Sequence, residues 1–294
     1  MSTPSVPYEL LGPPIRGPRA LTDDWVRFWH LTFNIARNAW KLRFFGSVLG
    51  YFWQLMRPLL LFGILYLFFT VIADIGTGQG PSGRFYGTQL LGSIVLFTFF
   101  GEATGGAVRC VVDNEALVRK IQFPRMVIPL SVVLLAMFNL ALNLVVVLIF
   151  GWIQGVRPML SWLELPLIIG LLTVLTTGVS MLLASLFVTL RDVQPIWEVV
   201  AQILFYASPV IVPLETVQTK LASTPWLVHL YMCNPLATIL QQFRHAMVNP
   251  AAPSAASALG GQALLLVPIA ISFAIFALGF VVFNRSAPTV AENL

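Results

Sequence analysis

The sequence predicts an all-α integral membrane protein. Six transmembrane helices follow an N-terminal amphipathic interface helix, and an extracellular re-entrant gate region precedes the last span. Three observations lead there. Of 294 residues, 57% are hydrophobic and only 10% charged, where soluble domains carry about 25% charged residues. The mean hydropathy is +0.84. Apolar stretches long enough to cross a bilayer, which takes about 20 residues, recur along the chain. So few charges cannot wet a globular surface, which excludes a soluble enzyme, a disordered chain and a disulfide-rich secreted module.

Residues 1–22, rich in proline and glycine, read as a flexible cytoplasmic tail without the shape of a signal peptide. Residues 23–45 read as the interface helix. Trp25, Trp29, Phe33, Ala36 and Trp40 recur on one side, and Arg27, His30, Asn34, Arg37 and Lys41 on another. Aromatic rings opposite cations suit a helix lying in the headgroup layer, with packing against protein as the alternative.

Residues 46–285 read as the transmembrane domain, with spans near 48–73, 87–110, 127–153, 165–190, 194–214 and 262–284. Stretches 44–73, 85–108 and 193–214 hold one charge each, Arg57, Glu102 and Glu198, while 126–156, 165–190 and 246–284 hold none. Between the last two spans, 215–261 contains Pro225, Trp226, Pro235 and Pro250 around apolar runs too short to cross. It reads as the extracellular gate region. With six spans, placing both termini inside puts 12 of the 17 lysines and arginines in the cytoplasm and four outside. The positive-inside rule therefore favours cytoplasmic N and C termini.

The chemistry of the chain is that of a conduit. No GxxxxGK[ST] loop precedes any of Lys41, Lys120 or Lys220, so ATP has no such cradle here. Neither HExxH nor GxSxG occurs, and Cys110, Cys233, His30, His229 and His245 are too scattered for a metal or redox pair. No catalytic residue, metal or cofactor is assigned to the chain. The net charge of +5 gathers at the ends of apolar segments, a topology signal and not a nucleic-acid surface.

Polar stripes cross two spans. Gln89, Ser93, Phe97, Phe100 and Thr104 recur in the second, and Glu198, Gln202 and Tyr206 in the fifth. Rings that stack on sugars beside amides that bond hydroxyls make these candidates for lining a channel. Ordinary helix–helix packing explains them equally, and the glutamates also admit an ion-coupled secondary transporter. Gly46–Gly50 and Gly101–Gly105 have the GxxxG spacing of close-packed helices. Arg57, in an apolar run, needs a partner: Glu102, a lipid headgroup reached by snorkelling, or an anionic substrate. Finally, 114–125 (NEALVRKIQFPR) reads as a short amphipathic docking helix, since a solvated loop seldom exposes Leu117, Val118, Ile121 and Phe123.

Four blocks in register carry a resemblance: 41–60 (KLRFFGSVLGYFWQLMRPLL), 116–131 (ALVRKIQFPRMVIPLS), 191–213 (RDVQPIWEVVAQILFYASPVIVP) and 234–247 (NPLATILQQFRHAM). Together they resemble the permease subunits of ABC-2-type polysaccharide exporters, which move O-antigens, teichoic acids and galactans. Phe44 and the pair Leu96–Phe97 depart from residues common in that family.

The resemblance implies a homodimer in the cytoplasmic (inner) membrane. It implies two copies of a cytoplasmic ABC ATPase that carry the ATP and Mg, and a polysaccharide on polyprenyl pyrophosphate as substrate. It places the ATPase contact at Glu115, Leu117, Arg119, Lys120, Phe123 and Arg125, with Arg191 and Asp192 nearby. Arg37, Lys41, Arg43 and Arg57 become candidates to hold the pyrophosphate at entry, with lipid headgroups as their other partner. An ABC-2 permease for a drug or small lipid shares the same fold.

Overall fold

The computed structural model describes residues 25–44, 50–72, 85–115, 124–221 and 223–286. Regular structure among them is entirely helical, and five helices are long and apolar enough to cross a membrane. The predicted tail lies outside the described residues.

At the centre stands α3 (Tyr86–Asp113). Leu90, Leu91, Ile94, Phe99 and Phe100 of this helix are buried in the main core. Two long helices flank it, α4 (Val127–Ile153) and α5 (Leu165–Thr189). On the periphery run α2 (Gly50–Leu67), which ends in a π-helical turn at Phe68–Ile72, and the last helix, Gln262–Ser286. Pro58 lies inside α2 without ending it. The predicted spans at 48–73, 87–110, 127–153, 165–190 and 262–284 thus each correspond to a helix. Their hydrophobic length is a local property, and it survives folding.

The first helix, α1 (Trp25–Phe44), packs across α4. Its buried face is Phe28, Thr32 and Ala36, of which only Ala36 belongs to the tryptophan stripe. Phe28 joins Met126, Ile128, Met181 and Phe283 in a second core cluster. Phe33 and Trp40 both meet the Phe138 ring edge-on, at centroid distances of 5.9 and 6.4 Å. Trp25 and Trp29 remain 59% and 44% exposed. The helix therefore packs against protein on one face and offers indoles to its surroundings on another. Phe28, Thr32 and Ala36 are spaced at i, i+4 and i+8, as good a helical face as the one marked by the larger rings.

The predicted fifth span, 194–214, departs from a simple helix. Only α6 (Val193–Tyr206) is regular, 14 residues long, which rises about 21 Å against a hydrocarbon core of about 30 Å. Pro209 and Pro213 each remove a backbone donor, so the helix cannot continue. The segment nonetheless runs the length of α3, antiparallel to it. The Trp197 Nε1 donates to Thr104 Oγ1 (3.1 Å), the Phe205 and Phe97 rings meet at 5.0 Å, and the Tyr86 hydroxyl donates to the Ile211 carbonyl (3.0 Å). Ser208, Val210 and Ile211 are buried. Irregular backbone at such depth is tolerated only when protein covers it.

Beyond it, 215–261 forms short helices that pack at the Tyr86 end of the bundle: α7 (Leu214–Lys220), α8 (Pro225–Met232), α9 (Pro235–Phe243), a π-helical turn at Arg244–Val248, and α10 (Ala255–Leu259). The Asn234 side chain caps α9 by accepting from the Leu236 amide, and Gly260 closes α10 at φ +87°. Phe243 sits against Gly92, where a Cβ would come within 2.5 Å of its ring. Arg244, with 3% of its side chain exposed, pairs with Glu215 of α7. The last helix, Gln262–Ser286, is α11. It approaches α5 so closely that a Cβ on Gly279 would lie 2.1 Å from the Gly178 carbonyl oxygen.

Candidate functional site

Glu102 organises the polar interior. Its carboxylate, on α3, forms an ion pair with Arg43 near the end of α1. The Asn139 amide of α4 donates to both oxygens at 3.0 and 3.1 Å, and Gln54 of α2 donates at 3.2 Å. Four helices are tied through one side chain. A carboxylate is acceptor-only and can take several donors, which is what offsets its desolvation at this depth. Of the three partners weighed for Arg57, Glu102 is thus occupied by Arg43 instead.

Arg57 borders the same place. A pocket of about 340 Å³ is lined by Arg43, Gln54, Arg57, Pro58, Phe97, Thr98, Gly101 and Glu102. Arg57 is exposed and makes no hydrogen bond or ion pair with the described residues. The pocket therefore presents one uncommitted guanidinium beside a committed one, with an aromatic ring and an amide at hand. That combination can bind an anionic group next to hydroxyl-rich matter.

The stripe on α3 is mostly interior. Gln89, Ser93, Phe100 and Thr104 are buried within the chain, and only Phe97 reaches the pocket. Thr104 donates to the Phe100 carbonyl and accepts from Trp197. Gln89 Nε2 and Ser93 Oγ find no hydrogen-bond partner among the described residues. Phe97, Thr98 and Gly101 of this helix are instead half-buried, and Gly105, Gly106 and Arg109 are exposed. On α6, Glu198, Gln202 and Tyr206 are all exposed, with the Gln194 amide donating to Glu198 at 3.2 Å.

At the opposite end from Tyr86 lie the candidates for docking. Leu117, Arg119, Lys120 and Phe123 fall outside the described residues. Glu115 follows the end of α3, and Arg125 precedes α4. Arg125 is 5% exposed, its Nε and Nη1 have no hydrogen-bond partner among the described residues, and burial lowers its pKa. Arg191 and Asp192 are exposed in the turn before α6. Val193 beside them packs with Val112 against Val108, Leu183 and Phe187, which brings this turn to the end of α3. Arg37 and Lys41 are exposed on α1.

Sequence reasoning missed Asn139, Gln54 and Trp197. A signal for the first existed: Asn139 and Asn143 are the amides spaced i, i+4 in the otherwise apolar α4.

A helical bundle with five candidate spans, an amphipathic first helix and no nucleotide loop in the sequence is a membrane-domain architecture. Residues 30–248 match the family described as ABC-2 type transporter, and the chain belongs to that family. All four sequence blocks lie inside the match. The chain is similar to the O-antigen export system permease protein RfbA of Myxococcus xanthus, 26% identical over 246 residues that cover 84% of this chain and 91% of that one. It is also similar to RfbA proteins of Klebsiella pneumoniae, 27% identical over 216 residues covering 73% of this chain and 79% of theirs.

Proposed function

We propose that this chain is the transmembrane permease of an ATP-driven exporter that moves a polyprenyl-pyrophosphate-linked polysaccharide across the cytoplasmic membrane. The observation that carries the reading is the pocket at Arg57. The Arg57 guanidinium, which has no partner among the described residues, stands beside the Phe97 ring among apolar helices, where lipid tails would leave it unsatisfied. The relatives' role in O-antigen export agrees with it.

In this reading two copies form the conduit. The exposed Glu198, Gln202 and Tyr206 of α6 then face a shared path or the second copy instead of hydrocarbon. Two copies of a cytoplasmic ABC ATPase supply ATP and Mg, and dock at 114–125 and Arg191–Asp192. Buried Arg125, whose Nε and Nη1 have no hydrogen-bond partner among the described residues, transmits their movement into α4. Both termini are cytoplasmic. Arg57 holds the pyrophosphate, with Arg37 and Lys41 on the approach and Arg43 available if it leaves Glu102.

The test is stimulation of the assembled transporter's ATPase by lipid-linked saccharide. Arg57→Ala should abolish the stimulation, and Arg57→Lys should keep part of it, since charge remains without the bidentate fork. An Ala variant that responds as the parent does removes Arg57 from the substrate site. Stimulation by small lipids or drugs alone would replace the polysaccharide reading.

A further inference from the structure

A second cavity lies away from Arg57, beneath α1. It has a volume of about 290 Å³ and is walled by Phe28 and Trp29 of α1, Leu134 of α4, Thr177 and Met181 of α5, and Phe280 of α11. Its two threonines spend their protons on the backbone of α5, so they present no donor to an occupant. Thr173 donates to the Ile169 carbonyl (2.8 Å) and Thr177 to the Thr173 carbonyl (2.7 Å). The remaining walls are hydrocarbon and aromatic ring, a lining that favours an apolar occupant.

The cavity adjoins an open groove of about 700 Å³ that shares Trp25, Trp29 and Leu134 with it. Along this groove the chemistry changes, because His30 and Asn34 line it. Those two belong to the stripe Arg27, His30, Asn34, Arg37, spaced at i, i+3, i+7 and i+10 on one edge of the helix. An apolar crevice, exposed indoles at its mouth and a cationic edge beyond repeat the order of an anionic lipid: tail, interface, phosphate.

We infer that the crevice under α1 is a binding site for one anionic phospholipid, its acyl chain between α1, α4, α5 and α11 and its phosphate on the His30–Asn34 edge. The site stands independently of the polysaccharide reading. It makes the seating of α1 on the bundle depend on lipid, because the chain would fill the gap between them. The same edge would attract the phosphate of a polyprenyl lipid, so the experiment separates the two sources.

The full-length permease, purified in detergent and stripped of lipid, is titrated with phosphatidylglycerol, phosphatidylcholine or polyprenyl phosphate, and its thermal midpoint is followed. Phosphatidylglycerol should raise the midpoint by roughly 3–6 °C at saturation, and the other two should raise it by less than half as much. Leu134→Trp, which fills the junction of crevice and groove, should erase the phosphatidylglycerol shift. Should that variant fold poorly, His30→Gln combined with Asn34→Leu serves instead, reducing the preference for phosphatidylglycerol over phosphatidylcholine. Native mass spectrometry of the parent should retain one phosphatidylglycerol, and none in Leu134→Trp. Equal shifts from both phospholipids, or an unchanged shift in Leu134→Trp, overturn the site. A shift produced by polyprenyl phosphate alone also overturns it, and assigns the crevice to substrate lipid.

Discussion

Glu102 and Arg57 lie on one pocket and have opposite roles in stability. Glu102 receives Arg43, Gln54 and Asn139, so its loss leaves three donors facing one another. Arg57 has no partner among the described residues. Glu102→Gln keeps the size but points an amide at donors. It should cost about 1–3 kcal/mol, read as a lower thermal midpoint of the purified permease. Arg57→Ala should leave that midpoint where it is. A midpoint that drops as far for Arg57→Ala would make Arg57 an anchor of the fold, and the pyrophosphate site would then be sought among Arg37, Lys41 and Arg43.

At the scale of elements, α5 and α11 meet through glycine. Helices in lipid gain little from burying apolar surface against each other, so close backbone approach carries the association. Gly178 and Gly279 provide it, and a methyl at Gly279 would collide with the Gly178 carbonyl. Gly279→Ala should destabilise by roughly 1–3 kcal/mol. By contrast, a Cβ on Gly101 or Gly105 meets nothing within 4 Å. Gly105→Ala should therefore leave the single chain's thermal midpoint unchanged. Equal losses in the two variants would mean that the α5–α11 contact is not the tight one. The α6 segment follows a different rule: its helix is short, and its irregular continuation at 207–213 is sheltered by Tyr86 and the core.

For the whole molecule the question is which end faces the cytoplasm. The Tyr86 end carries the short helices α7 to α10, and the Asp113 end carries Arg109, Arg125, Arg191 and Arg285. On the topology proposed above, the charge bias places the Asp113 end in the cytoplasm. A cysteine placed at exposed Ser257 should react with an impermeant thiol reagent added to intact cells, whereas one at Asn114 should not. Cys110, which is buried, and half-buried Cys233 are replaced beforehand. Labelling at 114 with protection at 257 would invert the orientation and move the docking surface outside.

Much of this protein was legible from residues alone. Length and hydropathy are local sums, so five spans fall where the apolar stretches do, and the two charges that matter, Arg57 and Glu102, stand out because each interrupts an apolar run. The four blocks in register likewise carry the family, which the match over 30–248 bears out. Tertiary structure decided the rest. It gave Glu102 to Arg43 and not to Arg57, turned Gln89 and Ser93 inward, seated α1 on Phe28 and Thr32, and ended the fifth predicted span at Tyr206. The reason is physical. In a membrane both the packed and the lipid-facing sides of a helix are apolar, so the pattern along the chain marks where a helix crosses but scarcely how it is rotated. Rotation and partner choice are settled only when the helices meet, by where a glycine allows approach and where a donor can reach a carboxylate.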